Sequence, residues 1–418
     1  MKTFFYVLLF LLAIHFPAQA QIESIFADEF PDSSKVRVAV MADYDLNSNA
    51  LTNQFIYQFY IGSYLNTDLK NSVLNRMSNN NRVGADVNSG IYGAFKLDSC
   101  FHQKNTSVFF SVKDREHFDA QFSKDLYKVA FYGNADYAGK MANFDGFNLS
   151  LLRYQQIQIG ISSKRSDSSA HWAIGLSFLK GQQYKSLVAQ KAELYTSEDG
   201  QYIDFNTFIQ AAQSDPSKNG FNAFNGYGSS VDIYFEAPYK TRFGKSKLRV
   251  SVSDIGIIRF NNQSSYLKQD SLFHYTGFTV NSIYQLQNST FSKDSAINAI
   301  APLKKQSVSV TLPATLNLSF ETQFNKHVQL TEGIRYIYNA NYNLLFYVKG
   351  NFSINKHVAL SATAGYGGYG NFSYGIGVFT NFGKGFIIYL GSHNIEGYIA
   401  PKKTCGQGAY ISLIKNFK

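Results

Sequence analysis

After residue 20 the chain has no run of 18 apolar residues, so it encodes no helix of membrane-crossing length and any insertion into a bilayer falls to strands. Charged residues make up only 16% of the 418, below the roughly 25% usual for a soluble domain. The formal net charge is +10, yet no dense Lys/Arg run interleaved with aromatics is present. Nucleic acid is therefore not an expected partner, and the lysines read as rim residues near lipid phosphates. No Pro- or Ser-rich linker divides the chain, which argues for one domain. His102, His117, His171, His274, His327, His357 and His393 show neither HxH nor HExxH spacing. No metal site and no cofactor are expected, and these histidines read as turn and interface residues.

Cysteine is nearly absent. Cys100 and Cys405 both lie in polar, turn-like stretches, where an oxidising compartment would allow them to pair. No cysteine directly follows Ala20, which argues against a lipoprotein. Met1 to Ala20 combines a basic Lys2, an apolar stretch from Phe4 to Ile14 and the small-x-small end Ala18-Gln19-Ala20. This is the pattern of a cleaved secretory signal peptide, residues 1–20, leaving residues 21–418 as the mature domain.

Aromatic residues are plentiful at 16%, with 37 Phe and 29 Tyr but one Trp. Four turns place Gly or Asn beside Lys: Phe243-Gly244-Lys245-Ser246, Phe324-Asn325-Lys326-His327, Ile354-Asn355-Lys356-His357 and Phe382-Gly383-Lys384-Gly385. Gly and Asn tolerate the positive φ of tight hairpins. The intervals between the last three hold two strands of about 10 residues and an opposite loop, the length that crosses a bilayer obliquely.

The strands between them alternate. Leu312, Ala314, Leu316, Leu318 and Phe320 oppose Thr315, Asn317, Ser319 and Glu321, and Phe372, Tyr374, Ile376 and Val378 oppose Ser373, Gly375 and Gly377. A soluble sandwich shares this period. The leader, the aromatic load and the scarcity of charge select an all-β chain: a single transmembrane up-and-down antiparallel β-barrel of 12 to 16 strands, about 14, with short helical insertions, in the outer membrane.

Along the chain, Lys35–Tyr44 and Gln54–Gly62 read as strands, and Thr67–Met77 as a short helix capped by Thr67. Glu116–Ala130 reads as a helical insertion or plug carrying Phe118, Phe122, Leu126 and Val129 on one side. Ser169–Leu179 and Val188–Thr196 read as separate strands. Asn261–Gln306 breaks the rhythm and falls on the long-loop rim.

Gly133-Asn134-Ala135-Asp136-Tyr137-Ala138-Gly139-Lys140, Gly175-Leu176-Ser177-Phe178-Leu179-Lys180-Gly181, Tyr195-Thr196-Ser197-Glu198-Asp199-Gly200, Leu312-Pro313-Ala314 and Gly391-Ser392-His393-Asn394 together resemble a Bacteroidetes family of outer-membrane barrels known only as a domain of unknown function. The resemblance spans most of the mature chain and brings no catalytic residues with it. More distantly the chain is similar to long-chain fatty-acid transporter barrels and to outer-membrane components of type IX secretion, which implies fourteen strands. The Asn-Pro-Ala element of the fatty-acid transporters' plug is matched only by Ser48-Asn49-Ala50-Leu51, without the Pro.

Candidate lumen-facing residues are Glu236, Arg249, Thr315, Asn317, Ser319, Glu321, Arg335 and Lys349, polar residues on or near wet faces where opposite charges can pair across a lumen. Gly365-Tyr366-Gly367-Gly368-Tyr369-Gly370 fits a dinucleotide pattern, but a strand follows it where that chemistry needs a helix N-terminus. It reads as a strand connection at the membrane interface. Ser392 and His393 are adjacent and so point to opposite faces of a strand, which leaves no catalytic triad and no enzyme reading.

Two functions stay open. One is passage or binding of a small hydrophobic or amphipathic compound, with Glu116–Ala130 as its gate. The other is a non-enzymatic scaffold or secretion accessory that binds another envelope protein. Outer-membrane lipid is a partner in both.

Overall fold

The computed structural model describes residues 34–100, 103–164, 170–242, 244–276 and 304–418; the leader assignment to residues 1–20 lies outside them. Nineteen strands form one sheet. They are β1 (Val36–Ser48), β2 (Asn80–Cys100), β3 (Gln103–Ser123), β4 (Lys140–Asn143), β5 (Phe147–Lys164), β6 (His171–Thr196), β7 (Ile203–Gln213), β8 (Gly226–Thr241), β9 (Gly244–Phe260), β10 (Ser265–Tyr275), β11 (Lys304–Lys305), β12 (Val308–Thr311), β13 (Thr315–Gln323), β14 (Val328–Ile337), β15 (Asn343–Ser353), β16 (Val358–Gly368), β17 (Phe372–Gly383), β18 (Phe386–Ser392) and β19 (Gly406–Phe417). The short helices are α1 (Asn53–Tyr60), α2 (Thr67–Leu74), α3 (Lys124–Tyr132) and α4 (Glu396–Ile399).

Fourteen strands close a transmembrane antiparallel barrel in the order β1, β2, β3, β5, β6, β8, β9, β13 to β19 and back to β1. The pairs β4–β6, β6–β7 and β7–β10 extend the wall beyond its long-loop rim.

The ladder shows strand tilt. From Val36, at the short-turn end of β1, hydrogen-bonded neighbours run through Phe95, Val108, Ile161, Ile174, Ile233, Val252 and Leu316 to Tyr336, at the long-loop end of β14. Closure requires such oblique climbing. All nine residues are apolar or aromatic and point outward, as expected of a wall that meets lipid. Phe324, Phe352, Phe382 and Phe417 stand exposed at the short-turn rim, and Tyr227, Tyr336, Tyr366 and Phe372 toward the other. Where the wall rises past lipid, outward residues turn charged: Arg153 pairs with Asp114 at 3.1 Å.

The turns at Asn325 and Asn355 are built differently from the expectation. Neither residue takes a positive φ. Instead the side-chain oxygen of Asn325 accepts from the backbone N–H of His327 and Val328, and that of Asn355 from His357 and Val358, which closes an Asx turn. Positive φ is used in the last of the four turns, at Gly383, Lys384 and Gly385.

Several expectations are corrected. Gln54–Gly62 lies largely in helix α1: the Thr52 hydroxyl accepts from Phe55 N–H, and Phe55 packs on Tyr127 and Phe131. Asn66, not Thr67, caps α2. Glu116 to Ser123 is strand, because both neighbours continue the ladder there. The helix begins only after Ser123, whose hydroxyl accepts from Leu126 N–H at 3.0 Å. The segments expected as two strands, Ser169–Leu179 and Val188–Thr196, are joined from His171 onward in the one 26-residue strand β6, with Ser169 outside the described residues. The interruption at Asn261–Gln306 contains β10, with residues 277–303 outside the described set.

The possible Cys100–Cys405 pair finds no support in the strand register. Cys100 ends β2 at the short-turn rim, whereas the backbone carbonyl of Cys405 accepts from Ser48 N–H at the long-loop rim. The length of β1 between those levels is roughly 35 Å, against the less than about 7 Å between Cα atoms that a disulfide needs. Cys405 is a free thiol, and burial pushes its pKa up to about 11.

Two expectations follow. Leu316→Arg places a charge on the lipid-facing wall and should cost about 2–4 kcal/mol in unfolding measured in lipid vesicles. In a Cys100→Ser variant, Cys405 should react with maleimide far more slowly in the folded barrel than after heating, and reductant should leave the gel mobility of the unaltered protein unchanged.

Candidate functional site

Alternation along each strand sends one residue in two into the barrel. At the short-turn end these residues form an apolar core: Ala39, Tyr92, Ala94, Phe109, Ala173, Tyr234, Tyr389 and Ile414 are all buried in one cluster contributed from strands around the wall. The barrel at this level is filled by side chains.

Beside this cluster sits an ion network. Arg249 on β9 lies between Glu236 of β8, at 2.7 Å, and Glu321 of β13, at 2.5 Å. Lys247 pairs with Glu236 at 3.0 Å, and Tyr234 donates its hydroxyl proton to the same carboxylate. Ser319, the ladder partner of Arg249, is buried, as is Lys349 on β15. Thr315 and Asn317 share the inward face of β13 and are partly buried. The structure thus joins Glu236, Arg249 and Glu321 through adjacent strands, rather than across the lumen as expected. Arg335 lies apart, ladder partner of Asn317, with its guanidinium 6.0 Å from the ring centre of Tyr342.

The contacts that cross the lumen involve residues that sequence reading missed. Arg115 of β3 forms an ion pair with Asp254 of β9. Gln158 of β5 donates to Asp232 of β8 at 2.8 Å, passing over β6. His117, expected to be a turn or interface histidine, is buried inside the barrel, its Nδ1 2.7 Å from Asp86. His393 likewise holds Asp43 at 2.6 Å. Period-two alignment of His117 with Arg115 and Asp119 was the available signal, hidden because Phe118 and Phe122 also fit a helical stripe. His327 and His357 do lie in turns, as expected.

The glycine-rich segment joins β16 to β17, as expected of a strand connection, but it folds into the barrel mouth. Gly367 and Gly368 have φ of 116° and 68°, conformations that favour glycine, and they turn Tyr369 inward to 4% exposure. Its hydroxyl lies 3.3 Å from His117 Nε2 on the far wall, and its ring fills the space a side chain at Gly84 would occupy. Arg82 of β2, the strand beside that of His117, fastens the same turn by donating to the carbonyls of Gly368 at 2.9 Å and Gly370 at 3.1 Å. Nearby, Asn341 donates to Asp119 at 2.6 Å. Together these contacts hold the turn in the mouth against the opposite wall.

Against the latch lies a cavity of about 50 Å³ whose lining includes Asp45, Arg335, Tyr342, Tyr347, Tyr369 and His393. Its β16–β17 wall carries Gly365 and Gly375, so backbone replaces side chain there. Above, α1, α2 and α3 cover the rim through Phe55, Leu69, Val73 and Tyr127.

A closed fourteen-strand barrel with an apolar outer wall and a charged interior defines a membrane-spanning β-barrel protein. Residues 31–393 match a family of unknown function (DUF5723), and the chain belongs to that family. No curated protein matches it.

Among solved structures it is similar to the P. putida toluene transporter TodX, at 9% identity and a TM-score of 0.43 over 93% of this chain and 91% of that one. It is similar to the Ralstonia pickettii toluene transporter TbuX at 8% and 0.44, over 92% and 90%. A Pseudomonas aeruginosa FadL homologue gives 11% and 0.39, over 92% and 90%. At such identities the likeness is one of fold.

Replacing Arg249 by Met should strip the buried Glu321 of its ion pair and leave Glu236 with Lys247 alone, at a cost of about 3–5 kcal/mol. Urea unfolding in detergent micelles checks this, and a Glu236→Gln/Arg249→Met/Glu321→Gln triple variant should recover most of the loss.

Proposed function

We propose that this protein binds a small amphipathic compound within the barrel and passes it across the outer membrane by release of the Tyr369 latch. The observation that carries the reading is the latch itself. A glycine-built turn reaches across the mouth, is held by the Tyr369 ring and by Arg82, and lies directly against a cavity that offers tyrosine rings and the Arg335 guanidinium. Aromatic faces and one cation suit a compound with an apolar body and a polar end. A volume of about 50 Å³ accommodates a few waters at most, so entry of such a compound requires the turn to move.

The same reading takes residues 1–20 as a cleaved signal peptide, 21–418 as one barrel domain, and a Bacteroidetes-like envelope as its setting. Glu236, Arg249, Thr315, Asn317, Ser319, Glu321 and Lys349 serve to hold the interior, and Arg335 to meet the compound. Binding and passage, not catalysis, is the role proposed, with no cofactor.

One observation favours the scaffold alternative. On and just after α1, Tyr57, Phe59, Tyr60 and Tyr64 are each more than 60% exposed, an aromatic patch at the long-loop rim of the kind that meets another envelope or secretion protein.

Single-channel recording in planar bilayers separates the two. Passage predicts that the wild-type barrel is mostly closed and that Tyr369→Ala raises its conductance severalfold. A scaffold predicts no conductance in either form.

A further inference from the structure

Glu332 stands at the middle of the outward stripe Val328, Leu330, Glu332, Ile334 and Tyr336 of β14. Its ladder partners are Phe320 on β13 and Val348 on β15. The short-turn rim lies four residues to one side and Tyr336 of the aromatic girdle four to the other, so the carboxylate faces the hydrocarbon near mid-depth. Outward Asp114, by contrast, is above the apolar belt and paired with Arg153. No described residue donates a hydrogen bond to Glu332 or forms an ion pair with it. An ionisable side chain inside the membrane is costly and typically functional.

A second observation sits at the same place. Glu332 lines a shallow outward groove of about 520 Å³, with Leu318, Phe320, Ile334, Phe346 and Val348 around it and Ala364 on its far side. Seating a second copy of the chain here about a two-fold axis would bring two Glu332 carboxylates together, which like-charge repulsion opposes.

We propose that this groove binds, from the bilayer, one lipophilic molecule that carries a protonated amine, its apolar body along the aromatic wall and its ammonium on Glu332. The site is independent of the latched lumen.

The probes are spin-labelled stearylamine and spin-labelled stearic acid, in phosphatidylcholine vesicles holding the full-length barrel, read by electron spin resonance. The formal net charge of +10 biases unspecific attraction toward the acid, so a preference for the amine reports a local site. Wild type should associate with the amine severalfold more strongly than with spin-labelled phosphatidylcholine. Glu332→Gln should abolish that preference and Glu332→Lys should transfer it to the acid, while Glu116→Gln, above the belt, should leave it intact. Heat-modifiable gel mobility verifies that each variant is folded. Equal amine association in wild type and Glu332→Gln, or a change of oligomeric state on substitution with no change in amine association, would overturn the proposal.

Discussion

Backbone N–H and C=O groups find no water in hydrocarbon, and the pairing of β1 with β19 over Val36–Asn47 removes the last sheet edge that would leave them unsatisfied. The rest of the molecule follows from this closure. A closed sheet must tilt its strands, so the row from Val36 to Tyr336 climbs from one rim to the other. Closure also gives every strand two unlike solvents, lipid outside and the protein's own interior within. Period-two alternation sorts side chains between them.

The interior is a packed core with a charged upper half. At the short-turn end aromatic and aliphatic side chains meet across the lumen. Beside them Arg249 is matched with two glutamates of adjacent strands; higher up, Arg115 pairs with Asp254 and His117 lies between Asp86 and Asp119. In surroundings of low dielectric an unmatched charge is expensive, so each pairing also ties two strands together. The Tyr369 turn belongs to this system. Arg82 and His117 hold it from the opposite wall, through one polar contact to the ring hydroxyl and two to backbone carbonyls. Movement of the turn breaks few contacts in comparison with the ladders around it.

What was legible in the chain was the part governed by local period. The strands from Thr315 onward, the positions of the turns at Asn325, Asn355 and Gly383, and the inward face of β13 follow from alternation and turn-forming residues, although the two asparagines close their turns through side-chain oxygens rather than positive φ. Where two periods fit the same residues, reading failed. Phe118 and Phe122 are four apart, compatible with a helical stripe and with one face of a strand, and only the neighbouring ladders of β2 and β5 decide for strand. Gln54–Gly62 failed in the opposite sense: its aromatic, β-favouring composition suggested a strand, but no neighbour is left to pair with it once β1 has reached the rim, and burial of Phe55 makes it a helix.

The sequence by itself determined that this is a membrane-spanning β protein, because scarcity of charge, lack of long apolar runs and strict alternation are properties of neighbouring residues. Tertiary structure alone decided which residues meet. Cys100 and Cys405 stand at opposite rims, His117 and Tyr369 touch although 252 residues apart, and Glu332 looks into lipid while Glu321, one strand away, looks into the core. Those outcomes depend on strand register and on the closing of the sheet, which set height and facing for all strands at once. No stretch of chain carries that information alone.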